Sequence, residues 1–194
     1  MRIIKSPSLS YGQLGIGMVE VLVAMLILAI GVLGFAMLQV RAVVATGEAT
    51  NRSQALLILR GLADEIRVNS SAQQQSSYQA SIPTYSSMTS LPTTPPASCT
   101  INGGSNTGSP CSYSGMAAWD SYQAAVAAFN LGIHINITTS STQSACPGDA
   151  NSNRQCLLAA WGKTNATFGS GSTDCMQTNG QYNSNATCVM LEVY

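Results

Sequence analysis

A single carboxylate interrupts the long apolar run near the start of the chain. Residues 21–38 are uncharged, and the 23 residues from 16 to 38 contain one charged side chain, Glu20. About twenty apolar residues suffice for a helix to cross a bilayer. An ionisable side chain in that setting costs about 2 to 3 kcal/mol at the bilayer centre and is normally retained for a partner. Glu20 is therefore a candidate functional residue that requires a basic partner.

Six cysteines in the C-terminal half form the second group of reactive side chains. Metal binding would favour closely spaced cysteine pairs with several histidines, whereas the chain has one histidine, His134. Disulfides in an oxidising compartment are the better interpretation. Pairing of nearest neighbours is favoured, because each bond then closes a short loop rich in Gly, Ser and Asn. The predicted bonds are Cys99 with Cys111, Cys146 with Cys156, and Cys175 with Cys188.

Composition argues against several kinds of chemistry. Charged residues make up 8% of the chain, the formal net charge is zero, and beyond Arg67 the only basic residues are Arg154 and Lys163. No nucleic-acid partner is expected, because polyanion binding needs a basic surface. His134 has no convincing catalytic partner, and the chain lacks phosphate-loop, zinc-protease and paired-carboxylate motifs. We expect no enzymatic activity, no cofactor and no metal.

The apolar segment has three interpretations. A cleaved signal peptide would have a shorter apolar core, no acid and a small-residue cleavage site. A plain membrane anchor explains the length but leaves Glu20 without a role. The third interpretation rests on a resemblance to a known family of proteins. The leader carries Arg2 and Lys5 and no acid, so the positive-inside tendency keeps it in the cytoplasm and sends the rest outward.

The stretch GIGMVEVLVAMLILAIGVLG resembles the class III signal of type IV prepilins and pseudopilins. The resemblance implies that prepilin peptidase cuts after Gly15, that Ile16 becomes the N-terminus and is methylated, and that Glu20 is the fifth residue of the mature chain. The longer phrase EVLVAMLILAIGVLGFAMLQ is similar to that of the PilV-like minor pilins, the type IV pilus modification proteins. Within that family Glu20 would bind the terminal amine of a neighbouring subunit during assembly.

Elementary electrostatics gives Glu20 an alternative partner. A carboxylate is favoured near a helix N-terminus, and Ile16 and Glu20 are four residues apart, on the same helix face. The terminal amine of the same chain is therefore a second candidate partner of Glu20. The sequence is compatible with both the amine of the same chain and that of a neighbouring subunit.

A helical pattern continues beyond the apolar run. Leu56, Leu59, Ala63 and Ile66 repeat at spacings of three and four, which indicates one buried face. Charged pairs of opposite sign, Glu48 with Arg52 and Arg60 with Asp64, are expected on other faces. The pattern predicts one helix over residues 16–68, which would be ~80 Å long.

The remaining chain predicts a small α+β domain. Residues 69–115 carry no charge and are rich in Ser, Thr, Gln and Pro, which predicts a loop tied at Cys99 and Cys111. A short helix with a core-facing stripe is expected over residues 116–130; its members are Met116, Trp119, Tyr122, Val126 and Phe129. Three strands are expected within residues 131–139, 156–162 and 188–194. An antiparallel sheet of these strands would cover the second half of the long helix, with disulfide-tied loops around it, in a pilin-like α+β fold.

The resemblance implies a functional hypothesis and its alternatives. The first is a minor pilin of the type IV pilus, acting in a priming or tip complex with other minor pilins and the major pilin and supporting twitching motility or adhesion. The others are a minor pseudopilin of type II secretion, and a pilus-borne adhesin or DNA-uptake subunit. The expected organisation is a cleaved cytoplasmic leader (1–15), a membrane and filament-core half-helix (16–38), an amphipathic half-helix (39–68) and a globular domain (69–194). That domain would lie in the periplasm while the helix is anchored in the inner membrane, and outside the cell once in the pilus.

Overall fold

The computed structural model describes residues 17–69, 72–86, 90, 95–96, 99, 112–138 and 155–193. The chain divides into two compact units, Met1–Ala45 and Thr46–Tyr194.

Helix α1 spans Met18–Val68, 51 residues, and confirms the predicted long helix over the described positions. No proline occurs between Pro7 and Pro83, and Leu and Ala, which favour helix, are among the commonest residues of α1. Its charges suit the helix dipole, because Glu20 lies in the first turn and Arg67 in the last.

The first unit leaves its apolar side chains uncovered. Every large hydrophobic residue of α1 from Met18 to Val44 is between 45% and 85% exposed. The helix is apolar and long enough to cross a membrane, with an 18-residue window of mean hydropathy 2.9 that is 0% buried. The surface of this segment is therefore apolar on all sides of the helix.

The second unit adds two helices, one of which the sequence did not predict. Helix α2, Ala72–Tyr85, lies within the segment expected to be a loop, so that prediction was wrong. Tyr78 and Ile82 are fully buried and stand four residues apart, which gives α2 an apolar stripe despite its polar composition. Pro83 lies inside the helix, near its end.

Helix α3, Tyr113–Asn130, confirms the predicted helix but buries a different face. Its start is capped by Ser112, whose side chain accepts a hydrogen bond from the backbone N–H of Gly115 at 3.1 Å. The buried residues are small ones, Ala117, Ser121, Ala125 and Ala128. The prediction that the mainly aromatic stripe faces the core was wrong. Met116 is 42% exposed, and the other four members of the stripe are half-buried. Small side chains let α3 pack closely against its neighbours, which leaves the aromatic residues at the margin.

The three predicted strands form one antiparallel sheet. The strands are β1 (Ile133–Ile137), β2 (Gln155–Trp161) and β5 (Cys188–Val193), in the order β1-β2-β5. Ile135 pairs with Ala159, which pairs with Val189, so these three side chains share a face. That face packs into the main core with Leu59, Leu62 and Ile66 of α1. The expected pilin-like α+β arrangement, a long helix packed on a small antiparallel sheet, is confirmed.

The opposite face of the sheet is also covered, which the alternation pattern did not predict. Strands β3 (Asn165–Phe168) and β4 (Asp174–Met176) pair in parallel as a second sheet. They bury Leu158, Ala160 and Met176 in a second apolar cluster. Every residue of β2 is consequently buried.

The cysteines agree with disulfide use where the structure describes them. Cys175 of β4 and Cys188 of β5 form a disulfide, which is the pairing expected between nearest neighbours. Cys99 and Cys156 are also disulfide-bonded. Cys111 and Cys146 lie outside the described residues, so the two other pairings stay predictions.

Candidate assembly helix and carboxylate cleft

Glu20 occupies an exposed position in the first turn of α1. The backbone N–H groups of Glu20 and Val21 both donate to the carbonyl of Gly17, at 2.9 and 3.4 Å, so the helix is hydrogen-bonded from its start. A carboxylate here is favoured by the partial positive charge of the helix N-terminus. Gly15 and Ile16 lie outside the described residues, and their processing role stays a prediction.

The second unit contains an open cleft between the end of α1 and the start of α3. Its volume is about 510 Å³, and it is lined by Asp64, Glu65, Val68, Asn69, Tyr113, Met116 and Asp120. Val68, Tyr113 and Met116 are 89%, 70% and 42% exposed, so large apolar groups form its walls. We call this feature the carboxylate cleft.

A hydrogen-bonded chain holds one side of the carboxylate cleft in place. The buried hydroxyl of Tyr78 donates to Oδ2 of Asp120 at 2.5 Å. Asn69 donates through Nδ2 to the Tyr113 carbonyl at 3.2 Å and to the Tyr78 hydroxyl at 3.5 Å. These contacts join α1, α2 and α3, and they fix the position of the Asp120 carboxylate.

Burial and like charge perturb the acids of the carboxylate cleft. Partial burial, with a smaller contribution from the Asp120 charge, raises the pKa of Glu65 to about 7. Burial also raises the pKa of Asp120, against the opposing effect of the hydrogen bond from Tyr78. Burial and the hydrogen bond to Asp120 raise the pKa of Tyr78. Asp64, by contrast, is exposed and pairs with Arg67 at 3.1 Å.

The predicted charge pairs along α1 are replaced by other contacts. Arg60 and Asp64 do not form an ion pair in the described part of the chain, since Asp64 pairs with Arg67 three residues on. Glu48 likewise does not pair with Arg52; its Oε2 accepts a hydrogen bond from Nε1 of Trp161 at 2.9 Å. Trp161 is buried at the end of β2, so this bond ties α1 to the sheet.

His134 is less exposed than its place on the polar side of β1 predicted. Its Nε2 lies 3.3 Å from the Ser86 carbonyl, and its Nδ1 is buried without a hydrogen-bond partner in the described structure. The end of α2 causes this burial, because the Ser86 hydroxyl also bonds the backbone of Ile135. The His134 ring therefore lies where the end of α2 contacts strand β1.

The structure does not gather the sequence-predicted residues into one site. Glu20 lies in the first unit, and Cys175 and Cys188 lie in the second. Among the described residues, no group of three or more Cys, His, Asp or Glu could hold a metal ion. Sequence reasoning missed Glu65 and Asp120, because a single acid on an amphipathic helix is ordinary until the fold brings a second one close.

The fold defines a pilin-like α+β protein: a helix that begins with an all-round apolar segment and continues into the core of a small antiparallel-sheet domain. A family model described as Tt1218-like, Type IV pilin Tt1218, matches residues 37–122. The match covers part of α1, all of α2 and part of α3, and it supports a type IV pilin subunit. No curated protein and no solved structure matched the chain.

Proposed function

We propose that the chain is a minor pilin of the type IV pilus, processed by prepilin peptidase between Gly15 and Ile16. Residues 16–38 then serve first as an inner-membrane anchor and later as filament core. The remainder, from residue 39 onward, continues the helix and forms the globular domain outside the cytoplasm. The support is the prepilin-like sequence around Glu20, the type IV pilin family match and the pilin-like fold.

The exposed apolar surface of residues 18–44 carries this proposal. Water-exposed apolar area costs roughly 25 cal/mol per Å², so a helix with so many exposed large side chains requires lipid or protein around it. A bilayer meets that requirement before assembly, and the equivalent helices of other subunits meet it in a filament. Glu20 is the single charge within residues 16–38, and in this proposal it selects the correct neighbour by binding that subunit's terminal amine.

The disulfides are consistent with the same topology. Cys99, Cys156, Cys175 and Cys188 are all oxidised in the second unit. Stable disulfides form outside the cytoplasm. The globular domain therefore folds in the periplasm in this proposal, after the leader has stayed on the cytoplasmic side.

The test of assembly is the amount of the chain in sheared filaments. Glu20→Gln keeps the shape of the side chain and removes the charge, so the variant should be cut, inserted in the membrane and folded, yet depleted from filaments. Glu48→Gln is the matched control, since it removes another α1 charge while keeping an acceptor for Trp161. Equal recovery of both variants in filaments would contradict the role of Glu20.

The pilus and the type II secretion pseudopilus are separated by a second arm of the experiment. The wild-type chain is followed in cells lacking the pilus assembly machinery and in cells lacking the secretion machinery. Loss of filament incorporation only in the first strain supports the pilus. Loss only in the second would place the chain in the pseudopilus instead.

A further inference from the structure

The carboxylate cleft combines apolar walls with acidic side chains, of which Asp64 is already paired with Arg67 and Glu65 and Asp120 are not. Val68, Tyr113 and Met116 supply apolar walls that are 42% to 89% exposed. Glu65 and Asp120 line the same cleft, and the Tyr78 hydroxyl holds the Asp120 carboxylate at 2.5 Å. A groove of this size, about 510 Å³, accommodates one or two side chains of a partner.

No basic partner of Glu65 or Asp120 lies within the described part of the chain. Within the described part of the chain, Asp64 pairs with Arg67, whereas neither Glu65 nor Asp120 pairs with a basic side chain. The chain that leaves the cleft at Asn69 and returns to it at Tyr113 contains no Lys, Arg or His. That connection cannot neutralise the acids, whatever its path.

Charge complementarity therefore specifies the occupant. A cationic group complements the charge of Glu65 and Asp120, and an apolar group beside it complements the exposed apolar walls. Arginine combines a planar guanidinium with a long apolar stem and also stacks on aromatic rings such as that of Tyr113. A carboxylate held by Tyr78, as Asp120 is, meets such a group at little ordering cost.

We propose that the carboxylate cleft docks a segment of a partner protein that presents an arginine flanked by apolar side chains. Glu65 and Asp120 bind the guanidinium, and Val68, Tyr113 and Met116 contact the flanking residues. Asn69 and Tyr78 act as positioning residues, since they hold Asp120 and the Tyr113 backbone. This interaction is distinct from the contact of the apolar helix with neighbouring subunits, and it does not depend on the proposed function.

The test uses a small peptide and a methyl probe in the cleft. The full chain, purified in mild detergent with 13C-methyl methionine, is titrated at pH 8 with acetyl-Leu-Arg-Leu-amide. The Met116 methyl signal should move saturably, while that of Met176, buried in the second apolar cluster, should not. The uncharged peptide acetyl-Leu-Gln-Leu-amide should bind roughly tenfold more weakly, because it cannot pair with the two acids.

Substitutions distinguish the contribution of the cleft acids to binding from that of acids elsewhere on the chain. Glu65→Gln should weaken binding of the arginine peptide by roughly tenfold. Glu48→Gln, which removes an α1 acid that is not part of the cleft lining and keeps an acceptor for Trp161, should leave binding nearly unchanged. Comparison of the two peptides on the wild-type chain does not depend on either variant folding.

Three results would overturn the proposal. The first is an unmoved Met116 signal, which would mean that the groove is covered by the chain itself. The second is equal binding of the two peptides, which would show that the cleft is a nonspecific apolar surface. The third is a Met116 signal that moves with protein concentration alone, which would identify a second copy as the occupant.

Discussion

Replacing Glu65 by Gln should remove a pH-dependent weakness from the globular unit. The folded chain holds the Glu65 proton more tightly than the unfolded chain, because burial and Asp120 raise its pKa from 4.5 to about 7. Below pH 4.5 the acid is protonated in both states and carries no penalty. As the pH rises to 7, the unfolded state ionises freely and the folded state resists, so stability is lost across that interval.

The size of the effect follows from the pKa and the exposure. A rise from 4.5 to about 7 corresponds to ~3 kcal/mol for a carboxyl fully shielded from water. Glu65 lies at the surface of the cleft, where solvent screens its charge, so we expect ~1 kcal/mol. Glutamine has nearly the same shape and no charge. The variant should therefore match the wild type at pH 4 and exceed its unfolding free energy by ~1 kcal/mol at pH 8.

Urea unfolding of the chain in mild detergent measures this difference. The two tryptophans, Trp119 and Trp161, both belong to the globular unit, so their fluorescence reports its unfolding. Asp64→Asn is the control: Asp64 is exposed, and its surface ion pair with Arg67 contributes little. If the stability difference between Glu65→Gln and the wild type were the same at pH 4 and pH 8, the electrostatic account of the cleft would be refuted.

Three further experiments test the packing of the globular unit by the same urea assay. Leu59→Ala should lower the unfolding free energy by about 2 to 5 kcal/mol, because Leu59 is fully buried. Leu57→Ala, at a 65% exposed position of the same helix, should lower it by less than about 0.5 kcal/mol. Similar losses for the two variants would show that this face of α1 is misassigned. Glu48→Ala and Trp161→Phe should show a coupling of about 1 kcal/mol in a double-mutant cycle, and additive effects would deny their hydrogen bond. Cys175→Ser should cost ~3 kcal/mol, since its disulfide closes a loop with a sequence separation of 13; unchanged stability would show that the bond does not form.

Periodicity predicted the elements whose burial follows a simple rule. The long helix was visible because residues 16–38 are uniformly apolar but for one acid, and because Leu59 and Ile66 recur on one face beyond it. Strand β1 was visible because Ile133, Ile135 and Ile137 alternate with polar residues and are all buried. In these segments the local pattern and the tertiary contacts agree.

Other elements depend on contacts that composition conceals. Helix α2 has few apolar residues, and its two fully buried side chains, Tyr78 and Ile82, are spaced for a helix within a Ser- and Gln-rich segment. The buried face of α3 consists of alanines and a serine, so the larger Trp119 and Tyr122 misled the prediction of its core face. Strands β3 and β4 are four and three residues long, too short for a periodic signal.

The candidate sites differ in the same way. Glu20 was identified from the sequence, because a charged residue within an apolar run is unfavourable and is therefore easily recognised. Glu65 and Asp120 come from separate helices and approach one another only in the folded chain. Three-dimensional proximity of this kind leaves no trace in the spacing of a single sequence.

The central claim, that this is a processed pilin subunit, is tested most directly by the mass of the mature chain. The protein is expressed in cells with and without prepilin peptidase, extracted from the membrane and measured intact by mass spectrometry. We predict that the peptidase removes residues 1–15 and leaves a chain that begins at Ile16, with or without the mass of a methyl group. A chain that stays intact in the presence of the peptidase, or that is cut at another position, would contradict the claim.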